Sequence, residues 1–228
     1  MSPHAEDIAV VANELARRGW AEANAGNISV RLGAGPVPSA LLVKRANVRM
    51  RDLARDPAGG VCLLRFGAGD RSYSVVPKDA KPSSELPTHV AVHDMLARFR
   101  PDDRVVVHTH PTALISLTHR WPNSKELVRV MLGTHTEAPV LLQDRLTAIE
   151  FLPPGSSSLG HASASALERF SAVIWPGHGI VAVGHTAASA LDLIELADKA
   201  AQIALRLRPG EGLSPAQQKS IRKAFGLG

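Results

Sequence analysis

Apolar positions recur along this chain in two rhythms, one at spacings of three and four and one in short continuous or alternating runs. Residues 5–18 place Ile8, Val11 and Leu15 at helical spacing, which predicts an opening amphipathic helix. Residues 20–31 then pass through small side chains (AEANAGN) into ISVRL, a turn feeding a short strand. Apolar runs at 41–43, 61–66 and 72–76 predict three more strands, the last two joined by a turn at 67–70. Lys81-Pro82-Ser83-Ser84-Glu85 has helix-start chemistry, and an amphipathic run follows to about residue 98. Residues 104–110 form a β-branched strand and 111–117 begin a further helix. Strands are expected at 138–142 and 146–152, a turn-rich loop at 153–160 and a short helix at 162–170. Two strands, 172–175 and 179–183, flank Pro176-Gly177-His178. A long helix over 187–207 gathers Leu191, Ile194, Ala197, Ala201 and Ala204 on one side. Some strands are adjacent and others are separated by a helix. The pattern therefore predicts one domain over 1–228: a mixed or antiparallel sheet covered by helices on its faces, with 210–228 a short, basic, peripheral tail.

A chain of 228 residues, 45% hydrophobic and 21% charged, has the makeup of a globular protein. At this length folding buries roughly 70–75% of the unfolded surface, so no disulfide or metal staple is needed. The one cysteine, Cys62, excludes a disulfide within the chain and fits a reducing compartment. The N-terminus has no basic segment followed by an apolar core, and no apolar run approaches ~18 residues. A soluble, cytoplasmic protein without membrane contact is expected. The net charge is +5, with a cluster at Lys44, Arg45, Arg49, Arg51 and Arg55. Aromatics at 4% are too few for base-stacking platforms, so the cluster reads as a solvated face or a small-anion site rather than a nucleic-acid surface.

Ten histidines change the picture, because three sit in unusual places. His108 and His110 lie at i and i+2, which on a strand sends both rings to one face with Cα atoms about 7 Å apart, within reach of one ion. His178 stands between Gly177 and Gly179, where backbone approaches closely and the ring is free to enter a cleft. Three histidines with a vacant position make a catalytic zinc arrangement. The His-x-His pair alone is a weak signal, and ordinary histidines remain the alternative. Glu85 falls at a helix start where Ser83 and Ser84 add hydroxyls and free N–H groups attract an anion. It is either a functional carboxylate or one that complements the helix dipole. His89 and His93 follow at i+4 and i+8, a stripe better suited to a packed helix face than to ligation. In Asn24-Ala25-Gly26-Asn27-Ile28-Ser29, exposed N–H groups and two amides could hold a phosphate or hydroxyl, with a simple turn as the alternative.

Four ordered blocks, NAGNISVR (24–31), PSSELPTH (82–89), VHTHPT (107–112) and IWPGHG (174–179), resemble the class II, zinc-dependent sugar-phosphate aldolase and ribulose-phosphate 4-epimerase family. SELPTH, WPGHG and Thr134-His135-Thr136-Glu137 look most like its rhamnulose-phosphate branch. The resemblance implies a three-layer α/β/α fold with a mixed, largely antiparallel sheet. It also implies a C4 homotetramer with active sites at subunit interfaces. It assigns one Zn²⁺ per subunit to His108, His110 and His178, and makes Glu85 the acid/base. Gly26, Asn27, Ser83 and Ser84 match positions lining the phosphate and substrate pocket. Glu137 matches a carboxylate reaching a neighbouring subunit's site. The implied reaction cleaves C3–C4 of a ketose 1-phosphate, L-rhamnulose 1-phosphate first, to an aldehyde and dihydroxyacetone phosphate through an enediolate whose charge the zinc stabilises. No lysine Schiff base is required.

The chain departs from the family where relatives carry a Gly/Ser/Thr-rich phosphate turn; here it reads Val43-Lys44-Arg45-Ala46-Asn47, without glycine. Either Lys44 or Arg45 grips the phosphate by charge, the pocket takes a carboxylate or unphosphorylated substrate, or both residues lie on the surface. Fuculose-type cleavage, 4-epimerisation and thiosugar-phosphate dehydration use the same three histidines. A catalytically silent interaction domain is the reading from another class.

Overall fold

A computed structural model of the chain describes residues 3–67, 72–208 and 210–227. The strands are β1 (Asn27–Leu32), β2 (Ala40–Lys44), β3 (Val61–Phe66), β4 (Tyr73–Val76), β5 (Val105–Thr109), β6 (Leu146–Ala148), β7 (Ala172–Trp175) and β8 (Gly179–Gly184). The helices are α1 (Pro3–Arg17), α2 (Met50–Arg55), α3 (Pro57–Gly60), α4 (Leu86–Phe99), α5 (Thr112–Arg120), α6 (Ser124–Leu132), α7 (Glu137–Leu141), α8 (Ser157–Leu167), α9 (Ala187–Arg206) and α10 (Pro215–Ala224). Most of the turn expected at 67–70 lies outside the described residues.

All eight strands join one sheet in the order β4-β3-β2-β1-β5-β8-β7-β6, antiparallel throughout except for the parallel β6–β7 pair. Helices cover both faces, which is why the central strands read as continuous apolar runs rather than alternating ones. Val105 and Val107 of β5 enter one core with Ile8, Leu15, Ile194 and Ala197 from α1 and α9. Val106 between them enters the other, with Val92 and Leu96 of α4 and Leu159 of α8. A third cluster, Leu41, Val43, Cys62, Leu64 and Leu86, seats the start of α4 on the β2–β3 end of the sheet. Among the described residues no helix is long and apolar enough to cross a membrane.

The structure corrects several expected elements. Residues 138–142, expected as a strand, fall mainly in α7, where the Leu142 N–H donates to the Ala138 carbonyl at 3.0 Å. Pro139 lies in the first turn of this helix, where its missing N–H costs nothing, whereas within a sheet it would break the ladder. The strand expected over 146–152 ends at Ala148, and the chain leaves the sheet with Phe151 exposed. The short helix expected at 162–170 begins earlier, at Ser157, because the Ser156 hydroxyl caps it by accepting from the Leu159 N–H. Helices α2, α3, α6 and α10 have no counterpart among the expected elements. The segment read as a peripheral tail carries α10, whose Arg222 is buried, donating to the Pro139 carbonyl and pairing with Asp144 at 2.8 Å.

Candidate active site

The histidines come together at the ends of β5 and β8. His108 is the last residue but one of β5, His110 follows the strand, and His178 stands in the turn between β7 and β8. Their ligating atoms lie within 4.8 Å of one another. The turn works because Gly179 carries no side chain: a Cβ there would lie 2.3 Å from the Thr109 carbonyl oxygen. Trp175 backs the cluster, its ring 4.3 Å from that of His108, and its Nε1–H donates to the Ser163 hydroxyl.

The proton positions on these rings follow from their partners. His108 Nδ1 is 2.9 Å from the Ile180 carbonyl, which can only accept, so Nδ1 carries the proton and Nε2 keeps its lone pair. His110 Nδ1 is 2.9 Å from a Glu22 carboxylate oxygen, which fixes that ring the same way. The two Nε2 atoms then face each other at 3.1 Å. Two lone pairs at that separation repel unless a cation lies between them. Burial, reinforced by the charges that neighbouring rings would carry, lowers the His178 pKa to about 4 and pushes that of His108 well down, so both stand in the neutral, ligating form at pH 7. His178 Nδ1 is buried without a partner among the described residues. This nitrogen donor set fits a divalent ion of the zinc class.

Glu85 occupies the N-cap position of α4, and its side chain makes no capping hydrogen bond. Its Oε2 accepts from the Gly155 N–H at 3.1 Å, and its Oε1 lies 3.9 Å from His178 Nε2. Burial raises its pKa, which the Gly155 hydrogen bond only partly offsets. A carboxyl so placed can both take and return a proton.

On the other side of His108 lies the start of β1, with Asn27 directly opposite it in the strand pair. Gly26 has φ +69°, and a Cβ on it would lie 3.2 Å from the His108 carbonyl oxygen, so this approach needs glycine. Lys44 is 2% exposed, and its Nζ donates to the Asn24 carbonyl at 2.9 Å. Burial lowers its pKa to about 8. The Lys44 carbonyl accepts from the Ser83 N–H, and the Ser83 hydroxyl accepts from the Glu85 N–H at 3.3 Å. Lys44, Ser83 and Glu85 are thus hydrogen-bonded in series, and Lys44 in turn to the loop that leads into Gly26 and Asn27. The turn that lacks glycine still takes a left-handed residue, Asn47 at φ +62°, the side chain best suited to it after glycine. Its Oδ1 accepts from Asn24 Nδ2.

The remaining expected residues lie elsewhere. The Arg45 guanidinium donates to the Gly59 carbonyl at 3.1 Å on the exposed side of the turn. Ser84 is exposed, next to the loop that carries Gly155. Glu137 is exposed at the first turn of α7, accepting from the Thr136 hydroxyl at 3.0 Å. Sequence reasoning missed Glu22 and Gly155, which orient His110 and Glu85 across 88 and 70 residues, separations no local pattern reports.

The family model for the class II aldolase and adducin N-terminal domain matches residues 6–205. Rhamnulose-1-phosphate aldolase of Listeria welshimeri is 28% identical over 234 residues, spanning 90% of this chain and 84% of that protein. The enzyme of the same name from Salmonella heidelberg is 27% identical over 243 residues, spanning 92% and 88%. Among solved structures, a sugar-phosphate aldolase from Thermotoga maritima superposes with a TM-score of 0.79 at 35% identity, covering 89% of this chain and 94% of that one. L-fuculose-1-phosphate aldolase from Thermus thermophilus shares the fold, with a TM-score of 0.67 at 23% identity over 94% of this chain and all of that one.

Proposed function

The chain belongs to the class II aldolase and adducin N-terminal domain family, and from that premise we propose that it is a lyase, a zinc-dependent aldolase that cleaves a ketose 1-phosphate, with L-rhamnulose 1-phosphate the first substrate to try. The observation that carries the reading is the convergence of His108, His110 and His178 beside a buried Glu85. The names of the most similar relatives support the substrate class.

His108, His110 and His178 hold the ion. When bound, it supplies Lewis-acid stabilisation of the negative charge that develops on the substrate's carbonyl oxygen. Gly155 fixes Glu85 Oε2, leaving Oε1, the oxygen facing His178, to take and return the C3 proton of the dihydroxyacetone phosphate fragment. Burial of Glu85 makes it a stronger base than a solvated carboxylate and so favours taking that proton. The Lys44 ammonium, the Asn27 amide and the Ser83 hydroxyl receive the phosphate, with Gly26 allowing the backbone to stand close to His108. Arg45, which bonds the Gly59 carbonyl, and the exposed Ser84 are assigned no phosphate contact. We further propose a cytoplasmic C4 homotetramer in which Glu137 acts at a neighbouring subunit's site; its exposure in the single chain is compatible with that role.

The test on zinc-loaded protein is dihydroxyacetone phosphate release from L-rhamnulose 1-phosphate and L-fuculose 1-phosphate, and epimerisation of L-ribulose 5-phosphate, with EDTA as control. EDTA-sensitive cleavage of the rhamnulose substrate above the others is the expected result. Epimerisation of the pentulose phosphate without cleavage would replace the reading, and silence on all three would point to another substrate or to an interaction domain.

A further inference from the structure

Behind Asn27 runs a buried polar chain that the reaction does not use. The Ser29 hydroxyl lies 2.6 Å from His89 Nδ1 and 2.7 Å from His93 Nε2, and His89 Nε2 bonds the Asn27 side-chain oxygen, Oδ1. Asn27 and Ser29 alternate on one face of β1, and His89 and His93 lie one turn apart on α4, so the two elements meet through these four side chains, all buried. The far end, His93 Nδ1, is buried with no partner among the described residues.

A hydroxyl has one proton, so Ser29 donates to one ring and accepts from the other, and the whole chain runs one way or the other. Run from Asn27 inward, it leaves a buried N–H on His93 Nδ1 unpaired. Run from His93 outward, it leaves only a lone pair there. Buried orphan N–H groups are the rarer of the two defects. His93 Nε2–H therefore donates to Ser29, Ser29 to His89 Nδ1, and His89 Nε2–H to Asn27 Oδ1. Burial keeps both rings neutral, helped for His89 by the nearby Lys44 charge and for His93 by His89 and Arg31.

We propose that the His93–Ser29–His89 chain is a positioning device that holds the Asn27 amide one way round, with its Nδ2 donors toward the cleft beside His108. An amide free to turn offers either a donor or an acceptor. A fixed one makes the Asn27 position donor-only. Together with the Lys44 ammonium, which bonds the Asn24 carbonyl three residues earlier, it suits that position to a phosphate or other oxyanion rather than to a group that must donate. The selection deepens the proposed function and rests on it; the direction of the chain does not.

The test has two arms on zinc-loaded protein. Nitrogen-15 NMR of the histidines is expected to show neutral Nε2–H tautomers at both His89 and His93. Titration with inorganic phosphate is expected to show binding to the wild type that weakens about tenfold or more in His89→Leu, which cannot donate to Asn27, and in Asn27→Asp, which keeps the His89 bond but turns an oxygen to the cleft. His89→Gln, which retains a side-chain N–H for Oδ1, is expected to restore affinity close to the wild type. A purely packing role for His89 does not predict that rescue. An Nδ1–H tautomer at His89, or wild-type phosphate affinity in His89→Leu, overturns the inference. If the wild type binds no phosphate and cleaves no ketose phosphate, the functional reading fails and the His89 tautomer decides the inference alone. Should His89→Leu not fold, Asn27→Asp and the tautomers still decide it.

Discussion

His108 and His110 turn their Nε2 atoms to within 3.1 Å of each other while oxygens of Ile180 and Glu22 hold both Nδ1 atoms. Each ring places its proton away from the other, so the pair is arranged for a cation rather than for a mutual hydrogen bond. His110→Ala is expected to take zinc from one ion per chain to near none. The wild type should gain about 4 kcal/mol of stability at zinc a thousandfold above its dissociation constant, and His110→Ala should gain little. Metal analysis and melting temperatures with and without EDTA check both.

Glu85 Oε1 stands 3.9 Å from His178 Nε2. Glu85→Gln is expected to keep its zinc and its Gly155 contact, since a side-chain oxygen remains, while kcat falls by about a hundredfold or more. Unchanged turnover with zinc in place would make Glu85 structural.

Burial of Lys44 costs stability. Burial moves its pKa from 10.5 to about 8, a native-state cost of about 3 kcal/mol at neutral pH. Between those two values the unfolded chain binds more protons than the folded one, so the stability of the wild type rises with pH across that window. Lys44→Met is expected to be the more stable protein at pH 7, with the difference closing between about pH 8 and 10.5. Its KM for a phosphorylated substrate should rise at least about tenfold. Arg45→Ala, whose guanidinium rests on the Gly59 carbonyl, should leave KM near the wild-type value. Urea unfolding across pH and steady-state kinetics separate the two residues.

Glu137 offers a test of assembly. If it serves a neighbouring site, Glu137→Gln and His110→Ala are each weakly active alone, yet mixed and reassembled subunits recover activity, because some sites then combine intact halves. Absence of recovery in verified mixed oligomers would confine Glu137 to its own α7.

Much of this was legible in the sequence because the information is local. His-x-His on a β-branched run, glycines around His178 and small residues before β1 each imply a geometry by spacing alone. The residues at 138–142 misled because a five-residue apolar run fits either period, and only Pro139 beside Glu137 marked a helix start. Signals for α6 and α10 were present: the Asn123 side chain accepts from the Glu126 N–H, and Ser214 and Gln217 form a capping box with proline in the first turn. Part of the basic cluster resolves into α2, with Met50 and Leu53 buried and Arg51 and Arg55 in solvent. Lys44 alone of the five basic residues is buried, a distinction that depends on the loop at Asn24 folding over it. The Ser29–His89–His93 chain was out of reach for the same reason, since it joins residues 60 and 64 apart.

The most direct measurement of the central claim is loss of a C3 hydrogen from dihydroxyacetone phosphate in D₂O, followed by proton NMR, because it needs no knowledge of the aldehyde. Zinc-loaded protein is predicted to exchange one of the two C3 hydrogens, and EDTA or Glu85→Gln to abolish the exchange. Zinc bound at one per chain with no exchange would contradict the account, since His108, His110, His178 and Glu85 would then form a metal site that does not perform this proton transfer.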